Sequence, residues 1–224
     1  DWYYVLDDEF SVDDTVDKLK HLDVLGVSYF IWNVRVSDEI CQKLKQINPN
    51  VIIVYGGLGM PKHGRCQKFL NDRPYVDVIV HNEGELVFEN LLVTIAEGRD
   101  IKTVNGISTR EFVNPLERRV KNITQMPSPY LDGLFDELMS VKNHTHNVEA
   151  ILEPSRGCPY TCTFCEVGDK FFTKVERQSS EKMFAEIDWV SKHKIDYMHI
   201  VDNNFGMFQD HMDIAEYIIA TRNQ

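Results

Sequence analysis

Five consecutive residues, Val51-Ile52-Ile53-Val54-Tyr55, constrain this chain more than any other feature. All are apolar or aromatic, and all but Tyr55 are β-branched. No polar residue alternates with them, so the strand they form is predicted to be buried on both faces. Such a strand belongs to a parallel sheet covered by helices on each side. Its flanks agree: Asn48-Pro49-Asn50 is a turn signal before it, and Gly56-Gly57 ends it.

Similar runs recur around it, separated by helical patterns. Residues 2–6 give a first strand. Ser11 then caps a helix with Val12, Val16 and Leu19 on one face. Residues 24–28 give a strand, and Ser37 opens a helix with Ile40, Leu44 and Ile47 aligned. A weaker helix at 62–71, a strand at 76–80 and a helix at 86–97, stopped by Gly98, complete the series. Repeated βα units predict an α/β fold with a parallel sheet. Ligands of such sheets bind at the carboxyl ends of the strands. Ser28, Gly56-Gly57 and His81-Asn82-Glu83-Gly84-Glu85 fall there.

The rhythm breaks over residues 105–149. An edge strand at 106–110, a short helix near 134–139 and three prolines, Pro115, Pro127 and Pro129, read as a linker. A second βα series follows, with strands at 150–153 and 195–201. The helix at 181–192 turns Met183, Phe184, Ile187 and Val190 inward. Asp210 is expected to cap a last helix that buries Ala215, Ile218 and Ile219.

With 24 Lys and Arg against 35 Asp and Glu, the formal net charge is −11. An acidic surface repels phosphate backbones, so nucleic-acid binding is not expected. The basic run Glu117-Arg118-Arg119-Val120-Lys121 reads as a solvated turn. No stretch is long and apolar enough for a bilayer. The start lacks Met and the basic and apolar regions of a signal peptide, so the chain is expected to begin inside a longer protein. Five cysteines, an odd number with three inside eight residues and two standing alone, do not make a disulfide framework. Free thiols suit a reducing compartment, here the cytoplasm. Cys41 and Cys66 read as packing residues, and His144 and His146 as linker.

The other three cysteines lie in Arg156-Gly157-Cys158-Pro159-Tyr160-Thr161-Cys162-Thr163-Phe164-Cys165. Thiolates are soft ligands suited to iron–sulfur clusters. Three of them leave one iron of a [4Fe–4S] cluster open to a ligand carrying an amine and a carboxylate. Structural zinc with a distant fourth ligand, and an electron-transfer cluster with a fourth cysteine, stay open as readings.

Glu153-Pro154-Ser155-Arg156-Gly157, followed by Cys158, Cys162 and Cys165 with Phe164 before the last, resembles the first strand and cluster loop of the radical S-adenosylmethionine (SAM) superfamily. The resemblance implies a partial TIM-type βα barrel with the cluster at its carboxyl face. It implies a [4Fe–4S] cluster that cleaves SAM reductively to a 5′-deoxyadenosyl radical, with a flavodoxin or ferredoxin as electron donor. Asp202 and Asn203 stand where the superfamily contacts the amino group of SAM, usually through Gly-Gly-Glu, and Phe164 joins them as a SAM contact. Arg177 is similar to an arginine common in this group.

Residues 1–104 resemble the cobalamin-binding domain of one branch, on the stretches 23–28, 51–57 and 77–85. That implies a flavodoxin-like domain that binds cobalamin near Ser28, Gly56, Gly57, Glu83 and Gly84. The branch's cobalt-ligating Asp-x-His-x-x-Gly motif is absent. By this alignment residues 2–6 match the family's second strand, so either the ligating loop lies upstream of residue 1 or cobalamin is bound without that ligand. Residues 150–224 match only the first βα units of the barrel, so the core is expected to continue beyond Gln224. The implied activity is cobalamin-dependent methyl transfer to a small-molecule or peptide substrate. A non-catalytic cobalamin or iron–sulfur module and a zinc-stabilised interaction domain are the alternatives.

Overall fold

The computed structural model describes residues 11–62, 64–140, 148–168 and 170–221. The strand expected at 2–6 and the pair His144 and His146 lie outside the described residues. The chain forms two compact units, Asp1–Arg119 and Val120–Gln224.

In the first unit, β1 (Val24–Ser28), β2 (Ile52–Gly56) and β3 (Val78–Val80) pair in parallel in that order, with Ser28 opposite Gly56. β4 (Ile107–Ser108) adds an antiparallel edge against β3. The helices are α1 (Val12–Leu19), α2 (Val34–Ile47), α3 (Cys66–Asp72) and α4 (Glu85–Ala96). β2 is covered on both faces, as its composition requires. Ile53 and Tyr55 pack with Val16, Leu44 and Leu70, while Val54 packs on the other side with Val78, Leu91 and Ile107. Truncating a core side chain such as Leu44 would cost about 2–5 kcal/mol.

Ser11 caps α1, its Oγ accepting from the Asp14 N–H at 3.3 Å. α2 starts at Val34, before the expected Ser37. The reason is Asn33: its Oδ1 accepts from the Phe30 N–H at 2.8 Å and its Nδ2 donates to the Ser28 carbonyl at 2.7 Å. That folds the loop tightly and lets the helix begin early. The segment read as a linker is divided between the units. Residues 105–119 complete the first, through β4 and a Gly106 N–H to Pro115 carbonyl bond of 2.7 Å.

In the second unit, β5 (Glu149–Leu152) pairs in parallel with β8 (Tyr197–Ile200). Between them, β6 (Ser155–Arg156) and β7 (Glu176–Arg177) form a short antiparallel ladder. The helices are α5 (Asp136–Ser140), α6 (Ser180–Lys192) and α7 (Gln209–Thr221). Leu152, Met183, Ile187 and Ile214 form the core. The inward face of α7 differs from expectation. His211 and Ile214 are buried, whereas Ile219 is 65% exposed. Asp210 is not the cap; it lies in the first turn and meets the Arg177 Nη1 at 3.3 Å. No helix among the described residues is long and apolar enough to cross a membrane.

Candidate cofactor sites

The first candidate site lies along the carboxyl ends of β1, β2 and β3. Ser28 ends β1, and Gly56 stands opposite it. Gly57 adopts φ +96°, and a Cβ there would come 3.3 Å from the Tyr29 carbonyl oxygen. Two residues on, a Cβ at Gly59 would come 2.5 Å from the same oxygen, which only glycine tolerates. Gly56 and Gly84 both face Val80. The five predicted residues therefore share one sheet edge, but not one role. Glu83 is covered: its Oε1 lies 2.8 Å from the Arg119 Nη2, with side-chain exposures of 6% and 12%. The basic run holding Arg119 is thus not simply a solvated turn.

One feature of this corner was not read from the sequence. After β1 comes Tyr29-Phe30-Ile31-Trp32. Tyr29 is buried, but Ile31 is 87% and Trp32 77% exposed, and Trp32 stacks on Phe30 with ring centroids 4.6 Å apart. Leu58, between the glycines, is also exposed. The signal was present as four large apolar residues directly after a strand end. The face of a broad ring can lie on an exposed aromatic shelf while its polar amides and nucleotide tail meet backbone-lined glycines, so these residues fit cobalamin.

The second candidate site is the cysteine loop between β6 and β7. The five cysteines are free thiols. Cys41 is fully buried and its thiol is pushed up to about 11 by burial, which keeps it inert. Cys66 is also buried, 3.7 Å from the His81 Nε2, which lies 2.7 Å from the Ser108 Oγ. Cys162 and Cys165 are exposed and Cys158 partly so. Gly157 turns the chain into the loop at φ +115°. The Cys158 N–H bonds the Phe172 carbonyl at 2.9 Å and anchors the start. The Cys165 N–H bonds the Cys162 carbonyl at 3.1 Å, and the Gly168 N–H bonds the Cys165 carbonyl at 3.0 Å. Those turns keep Cys162 and Cys165 close in the chain path.

No group of three or more His, Cys, Asp or Glu side chains among the described residues is arranged to hold a single metal ion. A four-iron cluster spreads its thiolates more widely than one ion does. Three free, accessible thiols of soft donor character fit such a cluster.

The residues expected to meet SAM separate. Phe164 is 91% exposed. Asn203 is exposed as well. Asp202 turns inward and accepts from the Ser155 Oγ at 2.6 Å. The neighbour that reaches the cysteine loop is Asn204, whose Nδ2 donates to the Gly157 carbonyl at 3.1 Å.

Residues 3–92 match the family model described as the B12 binding domain. The chain is 32% identical over 219 residues to the cobalamin-dependent radical SAM methyltransferase TokK of Streptomyces tokunonensis, covering 95% of this chain and 32% of that protein. It is 33% identical to 2-(S-pantetheinyl)-carbapenam-3-carboxylate methyltransferase of Streptantibioticus cattleyicolor, covering 89% of this chain and 30% of that one. The chain belongs to the radical SAM superfamily, in the branch with a B12-binding domain.

This radical SAM chain thus spans about a third of the length of those curated relatives. Among solved structures, the cobalamin-dependent radical SAM enzyme OxsB with aqua-cobalamin and SAM bound superposes with a TM-score of 0.69 over 96% of this chain and 31% of that chain. At 21% identity that likeness speaks for the fold alone.

Proposed function

We propose that this chain supplies the cobalamin-binding and cluster-binding parts of a cobalamin-dependent radical SAM methyltransferase. The observation that carries the reading is the cysteine loop: three free thiols in CxxxCxxC spacing, held between β6 and β7 by the Gly157 turn. Cys158, Cys162 and Cys165 hold the [4Fe–4S] cluster. When bound, the cluster and SAM supply one-electron cleavage of a sulfonium bond, and cobalamin supplies a transferable methyl group.

The chain's own residues prepare these sites. The glycines at 56, 57 and 84 let backbone approach the cobalamin tail, and Ser28 offers it a hydroxyl. Phe30, Ile31, Trp32 and Leu58 give the corrin an apolar shelf. Glu83 serves by fixing the loop after β3 through Arg119. Phe164 and Asn203 stand exposed for SAM. The first unit is flavodoxin-like, and β5, α6, β8 and α7 are the first βα units of a partial TIM-type barrel; the parallel pairing of Glu149 with Tyr197 across α6 supports this. The electron donor is a one-electron reductant such as a flavodoxin or ferredoxin, the substrate a small molecule or peptide, and the compartment the cytoplasm.

The test is electron paramagnetic resonance of the chain reconstituted anaerobically with iron and sulfide, reduced, with and without SAM. A [4Fe–4S] signal that changes on adding SAM is expected. A cluster signal indifferent to SAM, or bound zinc without sulfide, would overturn the reading.

A further inference from the structure

A buried polar path joins α7 to the cysteine loop. Asp202 has no exposed side-chain surface, and His211 is 1% exposed. A buried carboxylate is costly unless donors surround it. Asp202 has two: the Ser155 hydroxyl, 2.6 Å from Oδ2, and the Asn204 N–H, 2.7 Å from Oδ1. His211 is the third group facing it. The His211 Nδ1 accepts from the Gly206 N–H at 2.9 Å, which places the proton of the neutral ring on Nε2. Nε2 has no hydrogen-bond partner and faces the Asp202 Oδ2 across 3.7 Å. Phe205 stacks on the ring at 5.0 Å and Phe208 meets it edge-on at 5.3 Å, so the imidazole is held in place.

The path continues outward from Asp202. It grips the backbone of Asn204, whose side chain clasps the entry to the cysteine loop. Nδ2 donates to the Gly157 carbonyl at 3.1 Å, and the Cys158 Sγ donates to Oδ1 at 3.6 Å. Cys158 is also the least exposed of the three cysteines.

We infer that His211 is a positioning residue for Cys158, acting through Asp202 and Asn204. The imidazole N–H steadies the buried carboxylate, the carboxylate fixes the Asn204 backbone, and the Asn204 amide holds the sulfur. Hydrogen bonds to cluster sulfurs set the reduction potential, so the same path tunes a cluster bound there. Only this last consequence rests on the function proposed above.

The experiment measures iodoacetamide alkylation of each cysteine in the cluster-free chain by peptide mass spectrometry. His211→Phe keeps the ring stack and removes both nitrogens. It is expected to speed alkylation of Cys158 at least threefold, with Cys162 and Cys165 unchanged. His211→Gln, which restores a donor toward Asp202, is expected to return Cys158 close to its original rate. Unchanged Cys158 reactivity, or equal acceleration of all three cysteines, would overturn the inference. If His211→Phe abolishes the urea transition of the second unit, the fold is lost and Asn204→Ala, which removes the side-chain contact to the Cys158 Sγ, decides instead. It is expected to give the same selective acceleration, and its absence overturns the inference.

The second readout is the midpoint potential after reconstitution. Asn204→Asp is expected to disfavour reduction at least tenfold, about 59 mV for one electron. An unchanged potential refutes the tuning. A parent chain that takes up no cluster refutes the proposed function, while the alkylation result still decides the inference.

Discussion

Arg119 reaches back to Glu83, placing both Nε and Nη2 within 2.9 Å of one carboxylate oxygen. The pair fastens the end of the first unit to the loop after β3, where the cobalamin edge lies. Both side chains are largely covered, so removing one partner takes a main counter-charge from the other where little water can replace it. Removing one member of such a pair costs about 3–5 kcal/mol. Arg119→Ala is therefore expected to lower the unfolding free energy by roughly that amount in urea titration. An unchanged midpoint would show that Glu83 finds water or another donor.

That pair shows where sequence reading stops. Arg119 sits in a basic run with no partner at helical or strand spacing, so it reads as solvated. Its partner lies 36 residues away, brought near by the β3–β4 pairing. Local features were legible. The unbroken β-branched run of β2 announced burial on both faces, and Ser11 announced α1. The cysteine spacing announced the loop. What stayed hidden depends on direction. Asp202, Asn203 and Asn204 are chemically alike in the sequence, yet the turn after β8 sends Asp202 inward and only Asn204 to the loop. The inward face of α7 was misread for a related reason. A buried His looks polar in a pattern, and here Phe205 and Phe208 pack against the His211 ring.

Gly157 governs the shape of the cysteine loop. At φ +115°, a Cβ would lie 2.4 Å from the Lys174 carbonyl oxygen and 2.8 Å from that of Phe172. Both are backbone atoms, and the Phe172 carbonyl is the one that anchors the Cys158 N–H. Gly157→Ala must therefore break the anchor as well as strain the backbone. Iron and sulfide content after reconstitution is expected to fall by more than half. Gly98→Ala is the control. Its φ is +64° but its Cβ would meet nothing within 4 Å, so it carries backbone strain of about 1–3 kcal/mol alone. Equal iron content in Gly157→Ala and the parent chain would show that the loop forms without this turn.

Trp32 separates binding from stability. It is 77% exposed and leans on Phe30, so folding gains little from it. Trp32→Ala is expected to change unfolding free energy by no more than about 0.5 kcal/mol. Cobalamin affinity, followed by absorbance titration, is expected to weaken about tenfold, equivalent to ~1.4 kcal/mol. Trp32→Phe keeps an aromatic shelf and should recover most of the loss. Unaltered affinity in Trp32→Ala would place the corrin elsewhere.

Glu186 gives the second unit a pH dependence of definite sign. It lies on the buried face of α6, 5% exposed. Burial is the largest influence and raises its carboxyl above the usual range, while the Ser128 hydroxyl and the Lys182 charge pull it partly back. Lys182 is itself tied to the Met126 carbonyl at 2.6 Å, so its charge is shared. Between the ordinary glutamate value and the raised one, the folded state therefore holds a proton that the unfolded state has already released. Stability from this group is fully present below the ordinary glutamate range and is lost as pH rises through the raised value. Glu186→Gln keeps the shape without the charge. Urea midpoints measured from pH 5 upward should fall with pH in the parent chain and fall less in the variant, which should be the more stable at pH 8. If both chains share one profile, Glu186 is ionised in the folded protein and its neighbours meet the full cost of burying it.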